Sequence, residues 1–138
     1  LPGRQIEQRL ASKLDAVRVF AAANPLDRLV VAPAKPRLLV VTVGKAHGDV
    51  MEAFRVGGLD AGRLAAAGVG VLKIGLVFPL DRKAVLEAAA GAEEILVVEE
   101  KGPVVEGQLK ELFYNRPAGS RPRIVGKADE DGAPLVPR

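Results

Sequence analysis

The residues best equipped for chemistry are few, and they gather just after apolar runs. Gly44-Lys45-Ala46-His47 follows one run, Gly75 to Pro79 a second, and Glu99-Glu100-Lys101 a third, while Lys73 interrupts the second run itself. If the runs are parallel strands, these segments mark the carboxyl ends of a sheet, where open α/β folds gather their ligands. Gly44-Lys45, between a strand and a helix, permits either weak anion binding by backbone N–H groups or a plain turn with a solvated lysine. It is not a Walker loop, which needs an earlier glycine and a Ser or Thr after the lysine. Val40-Val41-Thr42-Val43 precede Gly44, and Ala46 follows Lys45. No dinucleotide fingerprint occurs at a strand end either.

His47 is the sole histidine. A general base needs an orienting partner, and Asp49 is better placed as a helix cap. Ser12 and Ser120 are the only serines, so a Ser-His-Asp site has little material. Lys73 either lays its carbon stem along the sheet with its amine in water or pairs with Glu99 or Glu100 at the end of a neighbouring strand. Glu99-Glu100-Lys101 is an acid at a ligand site, a complement to the dipole of the next helix, or an interdomain contact. The absence of cysteine excludes disulfides, thiolate metal sites, iron–sulfur ligation and a Cys nucleophile within this chain. No three residues have the spacing of a zinc site. No catalytic, cofactor-binding or metal residue is therefore assigned. Gly44, Lys45, His47, Lys73, Glu99, Glu100 and Lys101 remain as a candidate interface or weak anion site.

The elements that must position these residues follow from periodicity. Ile6, Leu10, Leu14, Val17 and Ala21 form one stripe of a helix over 5–22, which Asn24-Pro25 stops. Leu29-Val30-Val31 is a short strand that Pro33 and Pro36 confine to an edge or a linker. Leu38 to Val43 is a continuous apolar strand of the kind buried on both faces. Gly44 to Gly48 then reads as a loop, and Asp49 with Glu52 as a capping box for a helix with Val50, Ala53 and Phe54 inward. Asp60 caps a short Ala-rich turn. Val71 to Ile74 is the next strand, and Asp81 caps a helix over 82–90 that Gly91 closes. Ile95 to Val98 is a strand, and Pro103 opens a helix whose inner stripe is Val105, Leu109, Leu112 and Phe113. Glu106 and Lys110 read as an exposed pair on that helix. Arg123-Ile124-Val125 adds a last strand, and residues 126–138 read as a polar, partly disordered tail.

This alternation calls for a three-layer α/β/α domain with a mostly parallel sheet. The expected division is residues 1–36 as helix and linker or edge strand, 37–126 as the α/β domain, and 127–138 as the tail. The chain of 138 residues is 49% hydrophobic but only 4% aromatic, so its core must be aliphatic. Its net charge of +3, with a basic first quarter, lacks the aromatic interleaving or Arg-rich tract of a nucleic-acid binder. No apolar run approaches the roughly 18 residues of a membrane span. The first residues carry no export pattern; a cytoplasmic location is expected. Beginning at Leu1, the sequence reads as a processed chain or an excised segment.

From Arg37 to Lys127 the chain resembles indolepyruvate:ferredoxin oxidoreductases, of the 2-oxoacid:ferredoxin oxidoreductase family. The residues that carry the likeness are Leu38 to Ala46 with Asp49-Val50, Lys73-Ile74-Gly75, Phe78-Pro79-Leu80, and above all Ile95 to Lys101. Gln108-Leu109-Lys110, Tyr114-Asn115, Gly126-Lys127, Asp129 and Gly132 continue it. The resemblance implies the alpha-subunit region, in a domain similar to the transketolase C-terminal domain. That fold has a five-stranded mixed sheet with one antiparallel strand, supplied here by Leu29-Val30-Val31 or by Arg123-Ile124-Val125. The resemblance also implies a parent that decarboxylates aryl-pyruvates oxidatively to acyl-CoA with thiamine diphosphate, magnesium and iron–sulfur clusters, passing electrons to ferredoxin. Members often carry Tyr where His47 stands and Trp where Phe78 stands. This chain has neither a Gly-Asp-Gly thiamine motif nor cluster cysteines, so the resemblance implies that cofactors sit elsewhere in the parent. The expectation is a noncatalytic docking domain whose partners are the parent's other domains or subunits, and whose exposed former interfaces allow a homodimer. The alternative is a free-standing α/β ligand-binding or regulatory module.

Overall fold

The computed structural model describes residues 2–135. In chain order the elements are α1 (Pro2–Ala23), β1 (Arg28–Val31), β2 (Leu38–Val43), α2 (Ala46–Val56), α3 (Ala61–Ala66), β3 (Val69–Ile74), α4 (Arg82–Ala88), β4 (Glu94–Val98), α5 (Val104–Tyr114) and β5 (Arg123–Val125). The strands form one sheet in the order β1-β3-β2-β4-β5. β3, β2, β4 and β5 are parallel, and β1 runs antiparallel along β3. The antiparallel outer strand is thus β1, the N-terminal of the two possibilities.

β2 lies at the centre because it can be buried on both faces: Leu39, Val40, Val41 and Thr42 are all buried. Alternation along the strands sorts the core into two layers. Leu39, Val41, Leu72, Ile95 and Val97 face α4 and α5, packing on Val85, Val105, Leu109 and Phe113. Val40, Val71 and Val31 face α3 and α2, with Leu64, Val50 and Phe54. The three-layer α/β/α fold expected from the sequence is the fold of this chain.

Local departures have local causes. α2 begins at Ala46, inside the segment read as a loop, and Lys45 holds the cap position without a side-chain cap bond. Asp49 therefore falls in the first turn and ion-pairs with Lys45 at 2.7 Å, while Glu52 pairs with Arg55. An i,i+4 ion pair has displaced the capping box. Asp60 and Asp81 do cap their helices, accepting N–H bonds from Arg63 and from Lys83 and Ala84. Glu106 is not exposed as expected. It is 4% exposed and holds Lys110 at 2.7 Å from inside the fold.

Two larger expectations change. The stripe of α1 is not covered along its length: Ala21 is buried, but Ile6 and Leu10 are 65% and 55% exposed. Residues 126–135 are folded back: Ala128 bridges Pro134, and Leu135 donates to the Lys127 carbonyl. Lys127 N–H donates to Glu106 at 2.8 Å, and its ammonium donates to the Glu99 carbonyl. Internal hydrogen bonds hold this polar segment where apolar burial does not. The rest of the tail, 136–138, lies outside the described residues.

Candidate functional site

The carboxyl ends of β2 and β4 frame a cleft of about 250 Å³. Its walls include Gly44 and Lys45 after β2, Val77 after β3, and Glu99-Glu100-Lys101 before α5. Gly44 makes the turn at φ +56°, a conformation open to glycine. Five of the seven sequence candidates therefore meet here. His47 and Lys73 do not.

Most charged groups around the cleft are already engaged. The Glu99 side chain is buried and turned towards α5: one oxygen accepts the Val105 N–H at 3.0 Å, the other the Glu106 N–H at 3.0 Å. These are donors that a helix start otherwise leaves without a partner, so the chain's own carboxylate occupies the natural anion position at α5. Lys45 donates to both Asp49 oxygens at 2.9 and 2.7 Å. The Asp49 bond, then the charges of Asp49 and Glu100, hold its ammonium above the usual lysine pKa. Glu100 and Lys101 are exposed, and Lys101 takes φ 52°.

His47 and Lys73 lie on the other face of the sheet. Thr42 Oγ1 sits 2.9 Å from His47 Nδ1 and donates to the Leu72 carbonyl at 3.3 Å. Burial first, and the Lys73 charge second, hold the imidazole below the ordinary histidine pKa. Among the described residues no carboxylate orients it. Among the described residues Lys73 makes no ion pair. Of the two readings of Lys73, the pairing with Glu99 or Glu100 fails for a geometric reason. β2 lies between β3 and β4, and Lys73 shares a face with Thr42 and Val98, while Glu99 turns to the α5 face.

Sequence reasoning passed over several residues that shape this region. The Gln108 amide donates to the Val77 carbonyl at 2.8 Å and accepts the Leu80 N–H at 3.3 Å, tying the β3–α4 loop to α5. Asp27 accepts N–H bonds from Gly75 and Leu76 at the end of β3. Its other oxygen is buried and without a partner among the described residues, and burial pushes the carboxyl up. Glu106, expected in an exposed pair, borders the stripe begun by Val105, and a helical wheel places it at the edge of the core. Among the described residues no three His, Asp or Glu side chains could hold a metal ion together. No helix there is long and apolar enough to cross a membrane.

Residues 27–135 match the Indolepyruvate ferredoxin oxidoreductase middle domain. The chain is 29% identical over 106 residues to indolepyruvate oxidoreductase subunit IorA of Methanothermobacter thermautotrophicus, and equally so to that of Methanothermobacter marburgensis. Each alignment covers 77% of this chain and 16% of the relative, so the chain spans about one sixth of the curated relatives' length. A split-gene transketolase, solved as an inactive beta4 tetramer, is similar in structure with a TM-score of 0.51 and 20% identity. That likeness covers 72% of this chain and 31% of the transketolase chain, and it supports the transketolase-like fold. With the mixed five-stranded sheet and the match over residues 27–135 together, the chain belongs to the indolepyruvate ferredoxin oxidoreductase middle-domain family.

Proposed function

We propose that this chain is a structural and docking domain of a thiamine-diphosphate-dependent, cytoplasmic indolepyruvate (aryl-pyruvate):ferredoxin oxidoreductase, and that it carries no reacting group of its own. The parent would decarboxylate the 2-oxoacid oxidatively to acyl-CoA. Thiamine diphosphate, magnesium and iron–sulfur clusters would be held by its other domains or subunits, with coenzyme A and ferredoxin as its partners. Residues 37–126 would form the body of the domain, which β1 from segment 1–36 and the strap from segment 127–138 complete. Residues 127–135 act as a strap on α5.

The observation that carries this reading is how the strand-end groups are used. Glu99 is committed to two N–H groups of α5 and Lys45 to Asp49, and a general acid or base needs a free position within reach of substrate. The residues present do not fit the expected cofactors: the chain has no cysteine, and no metal-holding cluster exists among the described residues. No reaction step is therefore assigned to it. The exposed Ile6, Leu10, Phe20, Phe78 and Tyr114 suit surfaces that neighbouring domains cover.

The test is made in the whole oxidoreductase. Glu100→Gln and Lys101→Ala, the charged cleft residues with no internal commitment, leave kcat within about twofold of wild type. A general acid–base group contributes about 100-fold or more. A loss of that size in a variant with unchanged melting temperature would overturn the proposal.

A further inference from the structure

The antiparallel register of β1 on β3 places Arg28 directly opposite Lys73. Partners so paired project to the same face with Cβ atoms about 5 Å apart, and like charges in that position are destabilising. Lys73 is in turn in register with Thr42, whose hydroxyl holds His47. Arg28, Lys73 and Thr42 thus form a row across β1, β3 and β2, with the His47 imidazole of α2 held at its Thr42 end, and both cations are exposed.

Among the described residues no local carboxylate answers this row. On the covering helices Asp49 and Glu52 are committed to Lys45 and Arg55, and Asp60 caps α3 through Arg63 N–H. Asp27, next to Arg28 in the chain, bonds the Gly75 and Leu76 N–H groups and makes no hydrogen bond to Arg28. α2 covers β2 and β4 while α3 covers β3 and β1, and Leu64 of α3 packs beside Val31 and Val71. Arg28 and Lys73 lie beyond that contact, at the outer end of the two strands. The sequence places a lysine where the strand pattern calls for an apolar residue, and the fold sets an arginine beside it.

We propose that the Arg28–Lys73 row is a docking surface for a carboxylate-bearing segment of another domain of the parent polypeptide. The inference rests on the docking reading above and deepens it by naming the contact and its chemistry. An acidic side chain seated between the two cations relieves their repulsion. It also gives the neighbouring domain a defined register, because opposite charges meeting across an interface fix orientation as well as affinity.

Zero-length carbodiimide cross-linking of the whole oxidoreductase, mapped by mass spectrometry, tests this. The expected product joins Lys73 to a Glu or Asp outside residues 1–138. Its yield falls about threefold between 0.05 and 0.5 M NaCl, as partly exposed charges are screened. Arg28→Met, which keeps Lys73 reactive, lowers the yield by about threefold, the size expected for one exposed charge. The Lys45–Asp49 pair, 2.7 Å apart and exposed on both sides, is the positive control. If Lys73 stays unlinked while other lysines of this domain link to the rest of the polypeptide, the row is not the contact and the docking reading survives. If no lysine of the domain links outside residues 1–138, the docking reading fails and this inference with it. A Lys73 link joining two differently isotope-labelled copies would make a second copy the occupant and would also overturn the proposal.

Discussion

Replacing Glu99 by alanine removes an acceptor from two buried N–H groups at once. In the wild type its carboxylate takes the Val105 and Glu106 N–H bonds at 3.0 Å each, where α5 enters the core. A hydrogen bond to a charged group is worth about 1.5–3 kcal/mol, so losing both costs about 3–6 kcal/mol. For a chain of 138 residues, an unfolding entropy of about 0.29 kcal/mol/K converts that into a fall of about 10–21 °C in melting temperature. Glu99→Gln keeps one acceptor and turns an amide donor towards the other N–H, so it falls by about half as much. Calorimetric melting at pH 7 measures both, with amide exchange at Val105 and Glu106 as a local readout. A fall under about 3 °C in the alanine variant, with exchange at those amides unchanged, would show that Glu99 is not a structural cap. The case against a reactive acid at the strand ends would go with it.

Three further outcomes follow from groups buried near that helix and at the far edge of the sheet. Burial pushes Glu106 up, but the Lys110 ammonium, the Lys127 N–H and both lysine charges outweigh it and hold the carboxyl below the usual range. A lowered folded value gives stability that is present above the ordinary carboxylate pKa and lost as pH falls through the folded one. Glu106→Gln should therefore flatten the acid limb of the stability–pH curve and cost about 1–2 kcal/mol at pH 7 in urea unfolding. Asp27 has the opposite sign: burial raises it, so its contribution is present below the ordinary carboxylate pKa and lost as pH rises through the raised value. Asp27→Asn should abolish that decline, and an unchanged slope would contradict it. A Cβ on Gly75 would lie 2.3 Å from the Leu26 carbonyl oxygen; Gly75→Ala should cost about 1–3 kcal/mol in the same unfolding assay.

The sheet was legible because its signals are strong and local. Leu38 to Val43 and Ile95 to Val98 are unbroken apolar runs, and such runs bury on both faces. Asp60 and Asp81 were legible as caps because one side chain next to a helix start suffices. The start of α2 was not, since Asp49 fits a cap and an ion pair equally well until Lys45 is placed one turn away. The strand order was not legible either, because pairing preferences do not show that β3 separates β2 from the edge. The site was half legible. Chain position brought Gly44, Lys45 and Glu99 to Lys101 to one rim, but which face each side chain takes decides whether Lys73 can meet Glu99, and that depends on register. Glu106, Gln108 and Lys127 gain their roles from contacts 21 to 31 residues away in the chain, beyond any local pattern.

Calorimetric titration of thiamine diphosphate with magnesium into this chain probes the division of labour most directly. A scaffold whose polar rim is engaged internally gives no saturable heat up to millimolar ligand. Stoichiometric binding in the micromolar range would place the cofactor in this domain and contradict the account.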